Sequence, residues 1–253
     1  YDNFTNQMIR ATGVKDYREI THGAGFYRNW FKKFKGDFDR IFMTGVSPVT
    51  MDDLTSGFNI AKNLSIEAVP NDAMGFSESD VRAMLEYYRK ETGVFKHSDD
   101  DLIATMRTHY DNYCFSSDMI GEERVFNSDM VLYFVDKYVS SKGKIPEKLI
   151  DPNVSTDYFK MEKMVKIEQN FGEKSQIILD IVNTGRTFFE LNPEFAIAEL
   201  SNPENLQSLL YYMGLLSFGV DDEGYPCFVV PNDTVRQQYC RYLEKCYSQS
   251  VGW

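Results

Sequence analysis

The sequence predicts an α+β fold that is mainly helical, and three observations carry that expectation. One run of β-favouring residues, "FDRIFMTGV" (38–46), lies early in the chain. From about residue 77 to 184, apolar residues recur at helical spacing in one segment after another. Near the carboxyl end, "LLSFGVDDEGYPCFVV" (215–230) alternates around a turn and is followed by a long amphipathic stretch. A chain of 253 residues is long enough to bury a proper core.

Taken in order, "DNFTNQMIRAT" places Phe4, Met8 and Ile9 near helical spacing behind Asp2 or Asn3 as cap. "AGFYRNWFKKFKG" repeats the pattern with Phe26, Trp30, Phe31 and Phe34, and Gly36 supplies a stop. The "FDRIFMTGV" strand follows, and "NIAKNLSIEAV" (59–69) is a second, weaker strand candidate. "FSESDVRAMLEYYRKETG" is the clearest helix. Ser77 with Asp80 resembles a capping box, Val81, Met84, Leu85 and Tyr88 make one apolar face, and Gly93 ends it. Helices are expected next at "SDDDLIATMRTHYD", "NSDMVLYFVDKYVS", "STDYFKMEKMVKIEQ" and "KSQIILDIVNTG", with a break at Asp151-Pro152-Asn153. "RTFFEL" reads as a short strand and "NLQSLLYYMG" as a helix. The hairpin then turns at Asp221 to Gly224, and "PNDTVRQQYCRYLEKCY" closes as a helix capped by Asn232 or Asp233. Helix, strand, helices, hairpin, helix is the order of a winged-helix unit.

Composition narrows the function. Hydrophobic residues make up 43% and aromatics 15%, which is too apolar for a disordered chain. The 27 basic and 38 acidic residues give a formal charge of -11, which argues against a general nucleic-acid surface. The expected wing turn is itself acidic, so nucleic-acid binding through this chain is not expected. No apolar run reaches the ~18 residues of a membrane span. Cys114, Cys227, Cys240 and Cys246 form no CxxC pair, and His22, His97 and His109 are scattered, so no metal site is read; reduced, buried thiols of a cytoplasmic protein fit this pattern. The chain opens at Tyr1 without a methionine, which predicts a piece of something longer.

The chemistry-bearing candidates gather beyond the first strand, in "DFDRIFMTGVSPVTMDDLTSGFN" (37–59). In open α/β sheets, ligands bind outside the carboxyl ends of the strands. Thr44 stands at that end, where a hydroxyl either orients a water at a phosphate or satisfies a loop amide. Gly45 and Ser47 follow it. Ser47, Thr50, Asp52, Asp53, Thr55 and Ser56 either line a crevice or cap local turns. Asp99, Asp100 and Asp101 read as a helix amino terminus favouring negative charge rather than a metal cluster. "THYDNYCF" (108–115) brings His109, Asp111 and Cys114 together in sequence, either as a Cys–His pair or as an aromatic loop between helices.

"YDNFTN", "GFYRNWFKKFK" and "RIFMTGVSPVTMDDLTSGFNIAKNLS" resemble the AAA-ATPase-like family of anaerobic bacteria, and "GFSESDVRAML", "HYDNYCFS", "RVFNSDMVLYFV" and "VVPNDTVRQQY" extend the resemblance along the chain. It implies a partial P-loop ATPase α/β core over 1–70, a helical lid region over 71–174 and a winged-helix-like region over 175–253. It implies ATP and Mg²⁺ as cofactors, with Thr44 as the sensor residue and Gly45 and Ser47 in contact with the nucleotide, and a switch or motor for an attached effector. Family members carry an amino-terminal P-loop half and often a carboxyl-terminal nuclease-like domain of the PD-(D/E)XK type, so both are expected partners in the same protein. The Gly-rich GxxxxGK[ST] cradle does not occur in these residues. The alternative is a non-catalytic protein-interaction module with a winged-helix-like end.

Overall fold

The computed structural model describes residues 19, 25–45, 62–122, 124–152, 171–193, 195 and 199–251. The fold is α+β, with helices and two small antiparallel sheets. The chain divides into two compact units. The first comprises residues 1–63, 165–174 and 189–213, and the second residues 64–164, 175–188 and 214–253.

In the first unit, α1 (Phe26–Asp37) forms where the aromatic spacing predicts it. Its stripe splits, however: Phe31 is buried, whereas Phe26 and Trp30 are exposed. A helix advances about 100° per residue, so Phe26 and Trp30 lie roughly 40° apart while Phe31 sits about 100° beyond Trp30. The expected strand after it does not form. Among the described residues of this unit no strand exists to pair with Phe38–Gly45, and a strand without a neighbour has no partner for its N–H and C=O groups. The described part of the second strand candidate, residues 62–69, is turn and irregular chain. A later helix of this unit, α6 in chain order (Pro203–Tyr212), starts behind Asn202, whose side chain accepts the Glu204 N–H at 2.9 Å, with Pro203 in the first turn. Leu206, Leu209 and Leu210 are buried on it. So are Asn205 and Ser208, and these two have partners: Ser208 Oγ accepts the Asn192 N–H at 2.9 Å, and Asn205 Nδ2 donates to the Glu199 carbonyl at 2.9 Å.

The second unit is built around three helices. In chain order these are α2 (Glu78–Thr92), α3 (Asp99–Tyr110) and α4 (Ser128–Ser140). Strand β1 (Gly75–Phe76) pairs antiparallel with β2 (Phe126–Asn127) at the amino-terminal ends of α2 and α4. The core joins Val81 and Leu85 of α2, Leu102, Ile103, Met106 and Tyr110 of α3, and Met130, Val131, Phe134, Val135 and Tyr138 of α4. Each set follows the three-and-four spacing that puts apolar side chains on one helical face. Tyr110 and Tyr138 are admitted to this core because their hydroxyls have partners: Tyr110 donates to the Leu149 carbonyl at 2.7 Å, and Tyr138 meets the Lys96 N–H at 3.0 Å.

The expected capping chemistry is present. Ser77 Oγ accepts the Asp80 N–H while Asp80 accepts the Ser77 N–H, and Ser98 and Asp101 repeat the box on α3. Gly93 ends α2 at φ 64°, in the left-handed region that a side chain makes costly, with its N–H on the Arg89 carbonyl. The three aspartates at 99–101 occupy the first turn of α3, as their order suggests. Two also form ion pairs, Asp99 with Arg89 and Asp100 with Arg82.

The remaining elements of this unit are the part of α5 (Phe171–Thr184) from Ser175 onward, β3 (Arg186–Thr187), β4 (Ser217–Val220), β5 (Pro226–Val229) and α7 (Asp233–Val251). The strands form an antiparallel sheet in the order β3-β5-β4, with Ser217 opposite Val229 and Val220 opposite Pro226. The turn is held by Asp221, whose Oδ1 accepts the N–H groups of Glu223 and Tyr225 at 3.0 and 2.8 Å. Asn232 caps α7 by accepting the Val235 N–H at 3.2 Å. Val235, Tyr239 and Leu243 are buried along α7. Cys114 and Cys227 are buried free thiols, whereas Cys240 is exposed, one position round the helix from buried Tyr239.

The two capping boxes set an acid limit on stability. Hydrogen bonds from Ser77 hold the Asp80 carboxyl below the usual range, and those from Ser98 do the same for Asp101. A carboxyl whose folded-state pKa is lowered stabilises the fold above its unfolded value, about 4, and loses that contribution as pH falls through the folded value. Urea unfolding should therefore show stability falling below about pH 4, with a shallower fall in Asp80→Asn and Asp101→Asn. Ser77→Ala should cost about 1 kcal/mol at neutral pH.

Candidate functional site

The residues expected to face a phosphate fall largely outside the described chain. Thr44 and Gly45 are described and exposed, at the end of the irregular run that follows α1. Ser47, Thr50, Asp52, Asp53, Thr55 and Ser56 lie outside the described residues. Among the described residues no group of His, Cys, Asp and Glu is arranged to hold a metal ion.

The most elaborate polar arrangement instead surrounds the loop after α3, Asp111–Ser116, within the second unit. Six backbone groups of this run, which is buried or half-buried except at exposed Asn112, are met by side chains distant in sequence. Asn71 Oδ1 accepts the N–H of Phe115 at 2.8 Å and of Ser116 at 3.1 Å. Ser217 Oγ accepts the Cys114 N–H at 2.8 Å and lies 3.2 Å from the carbonyls of Asn112 and Cys114, to which its proton can go. Asn232 Nδ2 donates to the Asp111 carbonyl at 3.0 Å, and Asn112 Nδ2 donates to the Pro231 carbonyl at 3.0 Å. These last two bonds form a reciprocal clasp between the end of α3 and the start of α7. Asn112 takes φ 77°, a conformation that asparagine tolerates better than most residues.

Backbone pairing completes the arrangement. Tyr113 bridges Val125, and the Phe218 N–H of β4 donates to the Cys114 carbonyl at 3.1 Å. Arg124 donates from Nη1 to the Phe218 carbonyl at 2.8 Å, fixing the same strand from the other side of the loop. Tyr113 and Phe115 stack with centroids 5.8 Å apart.

The Cys–His possibility is not assembled here. The Cys114 thiol is buried and donates to the Ser116 carbonyl at 3.2 Å, while the His109 ring packs beside Tyr110. The His109 Nδ1 is buried with no hydrogen-bond partner among the described residues. Burial pushes the Asp111 carboxyl above its usual range, opposed by the Asn112 N–H and by Arg107. Arg107 also reaches Glu78, whose carboxyl is held low first by the hydrogen bond from Arg82 and then by Arg107. This surface network ties α2 to α3, and water screens its exposed pairs, so it organises charge more than it stabilises.

Sequence reasoning missed Asn71, Arg124 and Ser217. Ser217 carried a usable signal, since it is the one hydroxyl on the inward row of a strand otherwise made of Phe, Gly and Val. Asn71 carried none: in "PNDAMG" it reads as an ordinary turn residue.

The described structure thus defines an α+β protein whose second unit joins a three-helix core to a three-stranded antiparallel sheet through a hydrogen-bonded loop. No helix among the described residues is long and apolar enough to cross a membrane. A family model described as predicted AAA-ATPase matches residues 1–55, which supports an AAA-ATPase-like family for this chain. No curated protein and no solved structure matches it.

The loop arrangement makes a stability prediction. Ser217→Ala leaves the Cys114 N–H buried without its acceptor and should cost about 1–3 kcal/mol in urea unfolding. Ser248→Ala, at an exposed hydroxyl on α7, should change stability by less than about 0.5 kcal/mol.

Proposed function

We propose that the chain contributes the γ-phosphate side of an AAA-like nucleotide site, in a bacterial cytoplasmic protein that uses ATP and Mg²⁺ as a switch or motor for an attached nuclease-like effector. The supporting observation is the match to the predicted AAA-ATPase family over residues 1–55, the stretch that contains Thr44, Gly45 and Ser47. Phosphoryl transfer depends mostly on positioning and charge stabilisation. In this reading the Thr44 hydroxyl senses the terminal phosphate or orients the attacking water, and Gly45 and Ser47 let the backbone approach the nucleotide. The Gly-rich cradle and the carboxylates that hold Mg²⁺ come from a P-loop half of the same protein, because these residues contain no GxxxxGK[ST]. The later regions act as a lid, and the strand order β3-β5-β4 followed by α7 supports a winged-helix-like form for its end.

A second reading, a non-catalytic interaction module, is favoured by the exposed acidic hairpin tip. Asp222 and Glu223 face solvent there, with Asp222 also paired to Arg186 at 2.7 Å. Such a tip repels a duplex and suits a protein contact.

ATP hydrolysis separates the two readings. Residues 1–253 alone should show no turnover. In the protein that carries them together with its P-loop, Thr44→Ala should lower kcat by about tenfold or more while the Kd for ATP changes by less than about threefold, because a sensor contact acts mainly in the transition state. Equal losses in both quantities would make Thr44 structural. Absence of turnover in the P-loop-bearing protein would favour the interaction module.

A further inference from the structure

The loop Val94–Ser98, which joins α2 to α3, is fastened to α4 through one hydroxyl. Tyr138 Oη accepts the Lys96 N–H at 3.0 Å and the His97 N–H at 3.2 Å, and lies 2.9 Å from His97 Nδ1. A phenol oxygen has two lone pairs and one proton. The two backbone donors occupy both lone pairs, so the phenol proton goes to His97 Nδ1, which must be an acceptor. His97 is therefore the neutral tautomer protonated at Nε2. The assignment follows from the closed hydrogen-bond pattern, not from the ring's position alone.

We propose that this loop is a proton-sensitive latch, closed when His97 is neutral and released when Nδ1 takes up a proton. A protonated Nδ1 becomes a donor facing an oxygen whose lone pairs are already filled. The Tyr138 ring is buried and packed edge-on against Phe95 at 5.1 Å, so the hydroxyl has little freedom to turn elsewhere. Release of the hydroxyl loosens its hold on the Lys96 and His97 backbone as well.

The charged groups near His97 come from several elements. From α2, Arg89 donates to the His97 carbonyl at 2.9 Å and pairs with Asp99. From α3 comes the Asp101 carboxylate, bonded to Ser98, which a cationic His97 would attract. From α4 comes Tyr138 itself, and from the loop Lys96. The turn after α4 approaches closely at Gly143, where a Cβ would fall 2.2 Å from the Val94 carbonyl oxygen, and Lys142 and Lys144 flank that glycine. Proton uptake thus exchanges the Tyr138 bond for attraction to Asp101, against repulsion from Arg89. The result is a change in how firmly the loop is held.

Amide hydrogen exchange tests the latch. After correction for intrinsic rates, the protection of the Lys96 and His97 amides should fall about tenfold between about pH 8 and pH 5, while that of Phe134 in the middle of α4 stays constant. His97→Gln keeps an acceptor for the phenol but does not titrate, so its two loop amides should stay protected at both pH values. Tyr138→Phe should leave them weakly protected at both. Unchanged protection in the unsubstituted protein, or the same fall in His97→Gln, would overturn the proposal.

Discussion

The run Asp111–Ser116 enters the interior of the second unit without belonging to a helix or a long strand. Its N–H and C=O groups must still be paired, because a buried backbone group without a partner costs about as much as a lost hydrogen bond. Asn71, Ser217 and Asn232 supply those partners from positions between 44 and 121 residues away. In sequence α2 and α3 precede this loop, whereas α4 and the sheet of β3, β5 and β4 follow it. The pairing of Tyr113 with Val125 and of Phe218 with Cys114 continues both sheets' hydrogen bonding into it.

Much else in this unit follows from that constraint. Ser217 is fully buried because its hydroxyl serves the loop; a valine there would suit the strand better and leave Cys114 unpaired. Asn232 serves twice, capping α7 with its oxygen and holding the Asp111 carbonyl with its nitrogen, so the start of the last helix and the end of α3 are positioned together. Burial of Asp111 raises its carboxyl pKa, and Arg107 and the Asn112 N–H offset part of that penalty. The charged groups farther out on α2 and α3 are exposed, and their contribution is orientation rather than strength.

The helices of the second unit were legible in the sequence because their signals are local. Ser77 with Asp80, Ser98 with Asp101, and Gly93 each act within one turn, and the apolar spacing of α2, α3 and α4 is read without knowing the partner. The hairpin was equally legible, since Asp221 and Gly224 close the turn by contacts inside the turn itself. The strand expected at Phe38–Gly45 was not, because strand formation depends on a neighbour that β-favouring residues cannot specify. The aromatic stripe of α1 misled for a related reason: composition marked its residues as apolar, but only angular position separates Phe31 from Phe26 and Trp30. The hydrogen-bonded loop Asp111–Ser116 was visible as a suggestive cluster of His, Asp and Cys, yet its real partners are far away in sequence. Thr44, Gly45 and Ser47, the residues of the proposed nucleotide site, lie within the stretch that the family model matches.

If the loop is held as a unit, its two principal fasteners cannot act independently. Asn71 binds the amides of Phe115 and Ser116, and Ser217 binds that of Cys114, so release by one removal should leave less for the other to lose. A double-mutant cycle of Asn71→Ala and Ser217→Ala in urea unfolding measures this directly. The account predicts that the double variant loses less stability than the sum of the single losses, by about 0.5–3 kcal/mol. Additivity to within about 0.5 kcal/mol would contradict it, showing that the loop is held piecemeal and does not organise the unit around it.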